Sequence, residues 1–175
     1  TKSLKSELKE FGINVIKSPD EAVDYLIVGF DTELTYQKLL DACKLIRKGV
    51  PFIATNPDLV CPLDNDEYIP DCGSICIMLE NATQKKPFYI GKPSPVIVDI
   101  VSKFKKVDKS KIAIIGDRLY TDIKMGIINR ITSICVLSGE TSLDDIENSD
   151  IKPEFVFESI KDIYHELEKI YNKNK

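Results

Sequence analysis

An α/β fold with a mainly parallel sheet is the class this chain predicts, on three observations. Short runs rich in β-branched residues recur, as in Tyr25–Phe30, Pro51–Asn56, Lys111–Ile115 and Thr132–Leu137. Stretches with apolar residues at helical spacing stand between them. A glycine or a polar turn punctuates most boundaries.

Taken in order, Leu4, Leu8 and Phe11 mark one helical face, closed by Gly12, and a short apolar piece, Ile13–Ile16, follows. Tyr25–Phe30 reads as a buried strand. Leu34–Lys48 reads as an amphipathic helix ended by Gly49, and Pro51–Asn56 as a strand leading into the turn at Pro57 and Asp58. Residues 57–71, rich in proline and acids, read as loop, and Gly73–Asn81 as helix. The polar run Asn81–Pro87 lacks any apolar period and is the expected hinge, dividing the chain into domains at 1–86 and 87–175. Beyond it come a short strand from Phe88, the segment Gly91-Lys92-Pro93, and a helix Val96–Phe104. The run Lys111–Ile115 suits a strand buried on both faces. Thr121–Asn129 suits a helix capped by Thr121, followed by strands at Thr132–Leu137 and Phe155–Phe157. A last helix, Ile160–Tyr171, carries the apolar stripe Ile160, Ile163, Tyr164, Leu167, Ile170 and Tyr171.

Composition narrows the function classes. The 175 residues are 43% hydrophobic and 30% charged, with 24 basic against 28 acidic residues and a net charge of -4 spread without blocks. That balance argues against a nucleic-acid binder, which shows a basic face. No apolar run approaches the roughly 20 residues of a membrane span, and no signal peptide is visible. The five cysteines, Cys43, Cys61, Cys72, Cys76 and Cys135, are an odd number without a CxxC pair, the pattern of a reduced cytoplasmic chain. Cys72 and Cys76 suggest metal by spacing, but His165 is the only histidine and zinc would lack ligands, so buried packing is the expectation. The chain opens without Met on a helical segment, which points to something upstream.

The chemistry gathers in Gly116-Asp117-Arg118-Leu119-Tyr120-Thr121-Asp122. Asp117 ends a strand, at the carboxyl edge where open α/β sheets bind ligands. Asp122 falls in the following turn, and two such carboxylates suit a hard divalent cation such as Mg²⁺. A turn residue and a helix-start acid are the plainer roles for the same pair. Lys92, between a strand end and a helix start, is placed to meet a phosphate, although a solvated lysine is the commoner case.

These pieces together resemble the haloacid dehalogenase (HAD) superfamily, in the branch of NagD and 4-nitrophenylphosphatase. The matching words are Val28-Gly29-Phe30-Asp31 with Thr35-Tyr36; Phe52-Ile53-Ala54-Thr55-Asn56-Pro57-Asp58; Gly73-Ser74-Ile75; Ile90-Gly91-Lys92-Pro93; Gly116-Asp117-Arg118-Leu119 with Thr121-Asp122-Ile123; and Leu137-Ser138-Gly139. The resemblance implies a Rossmann-like core closed by an inserted α/β cap. Residues 1–86 would be cap, and 87–175 the second half of the core. It implies a Mg²⁺-dependent phosphatase acting on a small phosphorylated metabolite through an aspartyl phosphate. Lys92 would steady the nucleophile and phosphoryl group, Asp117 would ligate Mg²⁺, and Asp122 would stand behind it. Arg118, Leu119, Tyr120 and Thr121 would line the phosphate pocket, and Asn56 and Asp58 would face the substrate from the cap. The nucleophile aspartate is absent and is expected upstream of residue 1, so the chain is expected to be an inactive fragment. The resemblance also allows a homodimer through the cap.

Two other readings stand beside it. In one the chain is a complete capless phosphatase with Asp31 as nucleophile and Thr55-Asn56 as the hydroxyl motif, although Glu33 stands where the family has its second aspartate. In the other it is a non-catalytic phosphate-binding or interaction module.

Overall fold

Residues 1–65 and 67–173 are described by the structure, a computed structural model. They divide into two compact units, Thr1–Gly91 and Lys92–Lys175. The N-terminal unit opens with α1 (Lys2–Glu10), whose first turn is capped by Thr1 accepting from the Leu4 amide. Strand β1 (Leu26–Val28) leads to α2 (Tyr36–Arg47), capped in turn by Thr35, and then to β2 (Phe52–Ala54). A hairpin of β3 (Val60–Pro62) and β4 (Tyr68–Pro70) precedes α3 (Cys72–Thr83) and β5 (Phe88–Tyr89). The parallel sheet runs β1-β2-β5, and Phe52 and Ala54 on β2 pack with Ala42 and Ile46 of α2 and Ile75, Cys76 and Leu79 of α3.

The structure alters two sequence expectations here. Residues 57–71 are not all loop, because β3 and β4 pair antiparallel with Cys61 opposite Ile69. Pro62 and Pro70 are the last residues of these strands and supply no ladder donor, which masks them in sequence and suits a two-stranded ribbon that is all edge. The division also falls after Gly91 rather than after residue 86. Phe88 and Tyr89 pair with Ile53 and Ala54, so this strand belongs to the N-terminal sheet.

The C-terminal unit contains α4 (Val96–Lys105), β6 (Ala113–Gly116), α5 (Lys124–Asn129), β7 (Thr132–Val136), α6 (Leu143–Asn148), β8 (Phe155–Phe157) and α7 (Ile160–Lys173). Its parallel sheet runs β6-β7-β8. Val98, Met125 and Ile131 form one small core, and Leu119, Ile123 and Cys135 another.

Three expectations change in this unit. Strand β6 is not buried on both faces: it is the edge of its sheet, and Ile115 is 42% exposed. Thr121 does not cap a helix, since Leu119–Ile123 form a wide π-type turn that runs straight into α5, with the Ile123 amide bonded to the Arg118 carbonyl. In the α7 stripe only Ile163 is buried, whereas Ile160, Tyr164, Leu167, Ile170 and Tyr171 are exposed. The periodicity identified the helix correctly, but most of its apolar face lacks a packing layer among the described residues.

Candidate active site

The C-terminal unit brings Lys92, Asp117, Arg118, Leu119, Tyr120, Thr121 and Asp122 onto the carboxyl ends of β6 and β7 and the turn that follows. Gly116 ends β6, and the turn doubles back so closely that a Cβ at residue 116 would lie 2.2 Å from Asp122 Cγ. Glycine is what that close approach requires. Asp122 is thereby sealed in, with its side chain 4% exposed, and its charge is met by Lys92, whose Nζ lies 2.5 Å from Oδ1. Burying a carboxylate this far without such a partner would cost free energy.

Asp117 is held differently. The Glu140 amide donates to Asp117 Oδ2 at 2.9 Å, and the Thr141 amide donates to the Asp117 carbonyl at 3.1 Å. Gly139 makes room for the carboxylate, because a Cβ there would sit 2.2 Å from Oδ2. The loop after β7 therefore clasps the loop after β6. Glu140 then turns its side chain to Arg118, with Oε2 2.6 Å from Nε. Burial, followed by the negative charges of Asp117 and Asp122, pushes the Cys135 thiol on β7 up.

Leu119 is buried, Tyr120 is half exposed, and Thr121 is 2% exposed with a hydroxyl that finds no hydrogen-bond partner among the described residues. Such an orphan hydroxyl is uncommon in a finished core. Glu140 and Gly139 were not singled out from sequence as site residues, although Gly139 belongs to a matched word. Their role depends on two strand-end loops meeting, which spacing alone does not reveal.

The donor set can be weighed against Mg²⁺. A hard cation takes oxygen ligands and often only one or two protein carboxylates. Asp117 keeps one carboxylate oxygen engaged by an amide and leaves Oδ1 for a cation, while Asp122 is committed to Lys92. Among the described residues no group of three or more His, Cys, Asp or Glu could hold a metal. The residues fit as one part of a Mg²⁺ site.

In the N-terminal unit, Asn56 Nδ2 donates to Asp58 Oδ2 at 2.9 Å and to Asp71 Oδ2 at 3.2 Å, and the Thr55 hydroxyl donates to Asn56 Oδ1 at 2.9 Å. Asp71 also caps α3. Asn56 and Asp58 thus form one polar cluster at the carboxyl end of β2. Asp31 is paired with Lys38, its Oδ2 2.7 Å from Nζ, and it follows β1, a strand of the β1-β2-β5 sheet. Asp31 thus lies in the N-terminal unit and Asp117 in the C-terminal one, where among the described residues β6 pairs with β7.

With this geometry in view, comparison with known proteins is informative. The family model for HAD-hydrolase-like proteins matches residues 89–163. The acid sugar phosphatase of Staphylococcus haemolyticus is 39% identical over 166 residues, covering 95% of this chain and 62% of that protein. The crystal structure of 4-nitrophenylphosphatase from Thermotoga maritima superposes with a TM-score of 0.84 at 42% identity, over 91% of this chain and 60% of that one. NagD from E. coli K-12 superposes at 0.77 and 34% identity, over 89% and 60%. The chain therefore spans somewhat under two thirds of the relatives it matches. In sequence and in fold it is similar to proteins of the HAD superfamily, on the branch that holds NagD and 4-nitrophenylphosphatase.

Proposed function

We propose that this chain is the cap and the second half of the core of a Mg²⁺-dependent phosphatase, and that it is inactive by itself. The observation that carries this is the pairing of Lys92 with buried Asp122 behind an Asp117 clasped by Gly139 and Glu140. That is the lysine and metal half of a phosphoryl-transfer site, in the order of the family's motifs. The parent's substrate is a small phosphate ester, and the staphylococcal relatives' name supports a sugar phosphate.

Asp122 fixes Lys92 in place, so that the ammonium offsets phosphate charge without reorganising. Asp117 would hold Mg²⁺ with its free oxygen, and bound Mg²⁺ would lower the repulsion between phosphate and nucleophile oxygens. The nucleophile is an aspartate outside this chain, through which an aspartyl phosphate would split one displacement into two. Arg118, with Leu119, Tyr120 and Thr121, would line the phosphate pocket. Asn56 and Asp58 would contact the rest of the substrate from the N-terminal unit, the cap on this reading.

Other features agree with a missing half. Among the described residues strand β6 pairs on one edge, the buried Thr121 hydroxyl has no partner, and α7 shows its apolar stripe to solvent. All five cysteines are free, as in a reducing cytoplasm. No helix among the described residues is long and apolar enough to cross a membrane. The apolar hairpin residues Val60 and Tyr68 are exposed, which suits pairing of two copies through the cap.

The test is Mg²⁺-dependent hydrolysis of an aryl phosphate by the full-length parent, with Lys92→Met and Asp117→Asn variants. Each substitution is expected to lower kcat by ~10²–10³-fold, the scale of losing one group that stabilises transition-state charge. Activity unchanged in both variants would refute the assignment.

A further inference from the structure

Helix α1 has no buried residue, although Leu4 and Leu8 stand four apart on one of its faces. Its start is anchored. The Lys2 amide donates to Glu33 Oε1 at 3.3 Å, and Leu4 Cδ2 lies 3.6 Å from where a Cβ on Gly29 would stand. Beyond that anchor a partly open cavity of about 680 Å³ lies between α1, β1 and α2. Every residue lining it falls within Thr1–Gly91, so the N-terminal unit forms it alone.

Protein cores hold few voids larger than a water, whereas ligand pockets commonly measure about 300–1,000 Å³. Leu4 and Leu8 of α1, with Val15, Val28, Leu34 and Leu39, give this one an apolar wall. Val28, Leu34 and Leu39 back onto the core of the unit, yet each stays partly exposed. Burying such a wall against hydrocarbon is favourable.

One ion pair is built into the lining. Asp31 has its side chain 14% exposed, and Lys38 Nζ donates to its Oδ2 at 2.7 Å and to the Glu33 carbonyl at 2.8 Å. An ammonium has three N–H bonds, so beside these two it can serve one further acceptor. The charged lining, Asp24, Asp31 and Asp41 with Lys5 and Lys38, carries no excess of positive charge. A carboxylate head would therefore meet Asp31 beside the lysine and be repelled. A hydroxyl avoids that repulsion, and it can accept from the ammonium while donating to a carboxylate.

We propose that this cavity binds an uncharged aliphatic amphiphile, its alkyl chain against Leu4, Leu8, Val28 and Leu39 and a hydroxyl head on Lys38. The site is independent of the phosphatase reading, because none of its residues belongs to the Lys92, Asp117 and Asp122 group.

The experiment titrates n-decanol into the isotope-labelled whole chain, followed by NMR, with decanoate as the charged control. Saturable amide shifts are expected in α1, residues 13–16 and β1, together with a higher Tm. Decanoate should bind roughly tenfold more weakly or worse, since its charge has to be desolvated beside Asp31. Val28→Phe fills the cavity and should weaken n-decanol by roughly tenfold or more through the clash it creates. Circular dichroism checks its fold, and Leu8→Phe replaces it if it fails to fold. Undiminished affinity in the filled variant would overturn the proposal, as would shifts confined to exposed apolar residues elsewhere, such as Tyr68 and Met78. So would decanoate binding as tightly as the alcohol, or no saturable shift up to the solubility limit of n-decanol.

Discussion

Asp122 is a carboxylate almost sealed from water, and Lys92 makes its charge tolerable. Removing one partner of a buried pair leaves an uncompensated charge, at ~3–5 kcal/mol when both groups are buried. Lys92 is 45% exposed, so solvent screens part of this. Lys92→Ala is therefore expected to destabilise the C-terminal unit by about 1–3 kcal/mol, read from the urea midpoint. A loss below a few tenths would mean that the pair is only a surface contact. Gly139→Ala tests the clasp on Asp117 by placing a methyl where Oδ2 lies. Overpacking of this kind costs about 1–3 kcal/mol, and a shifted Asp117 environment should show by NMR. Asp31 gives a pH signature. Burial pushes its carboxyl up, but the Lys38 ammonium and the Glu33 amide outweigh burial and hold it below its ordinary value. A lowered folded pKa adds stability that is present above the unfolded pKa of about 3.9 and is lost as pH falls through the folded value. Asp31→Asn should remove that share of the acid-induced loss of stability. At this scale Lys92, Asp117 and Asp122 were legible because each sits in a contiguous word. The Arg118–Glu140 pair was not, because it joins two loops that meet only when β6 and β7 pair.

Helix ends explain much of how the elements begin. Thr35 accepts from the Lys38 amide at the start of α2, and Thr35→Ala should cost about 1 kcal/mol, measured by chemical denaturation. Helix α6 has a reciprocal cap in which Ser142 accepts from the Asp145 amide while Asp145 bonds back to the Ser142 amide and hydroxyl. Those bonds hold the Asp145 carboxyl below its usual range, so acid should fray α6. This helix went unread in the sequence although Ser142-x-x-Asp145 is a capping pattern, because a six-residue helix shows too little apolar period to be seen. The hairpin was hidden for a different reason: prolines normally argue against strands, and two edge strands tolerate them. Most strands and long helices were legible because their periods are strong, and α2, α3 and α7 fall within a few residues of expectation.

For the whole molecule, the sequence predicted which elements exist better than what covers them. Lys111–Ile115 has the composition of a strand covered on both faces, whereas Ile115 of β6 is 42% exposed and β6 has one strand neighbour among the described residues. The α7 stripe has the composition of a packed face, and its residues are exposed. Both mismatches agree with the chain covering 62% of its acid sugar phosphatase relative. They predict that the remaining part of the parent protects the β6 amides and the α7 side chains when it is supplied. The most direct measurement is Mg²⁺-dependent aryl phosphate hydrolysis by this chain alone, beside the same chain joined to the parent's remaining segment. The account predicts no turnover from the chain alone and activity once the segment is present. Turnover by the chain alone, abolished by Asp31→Asn, would contradict it and make Asp31 the nucleophile.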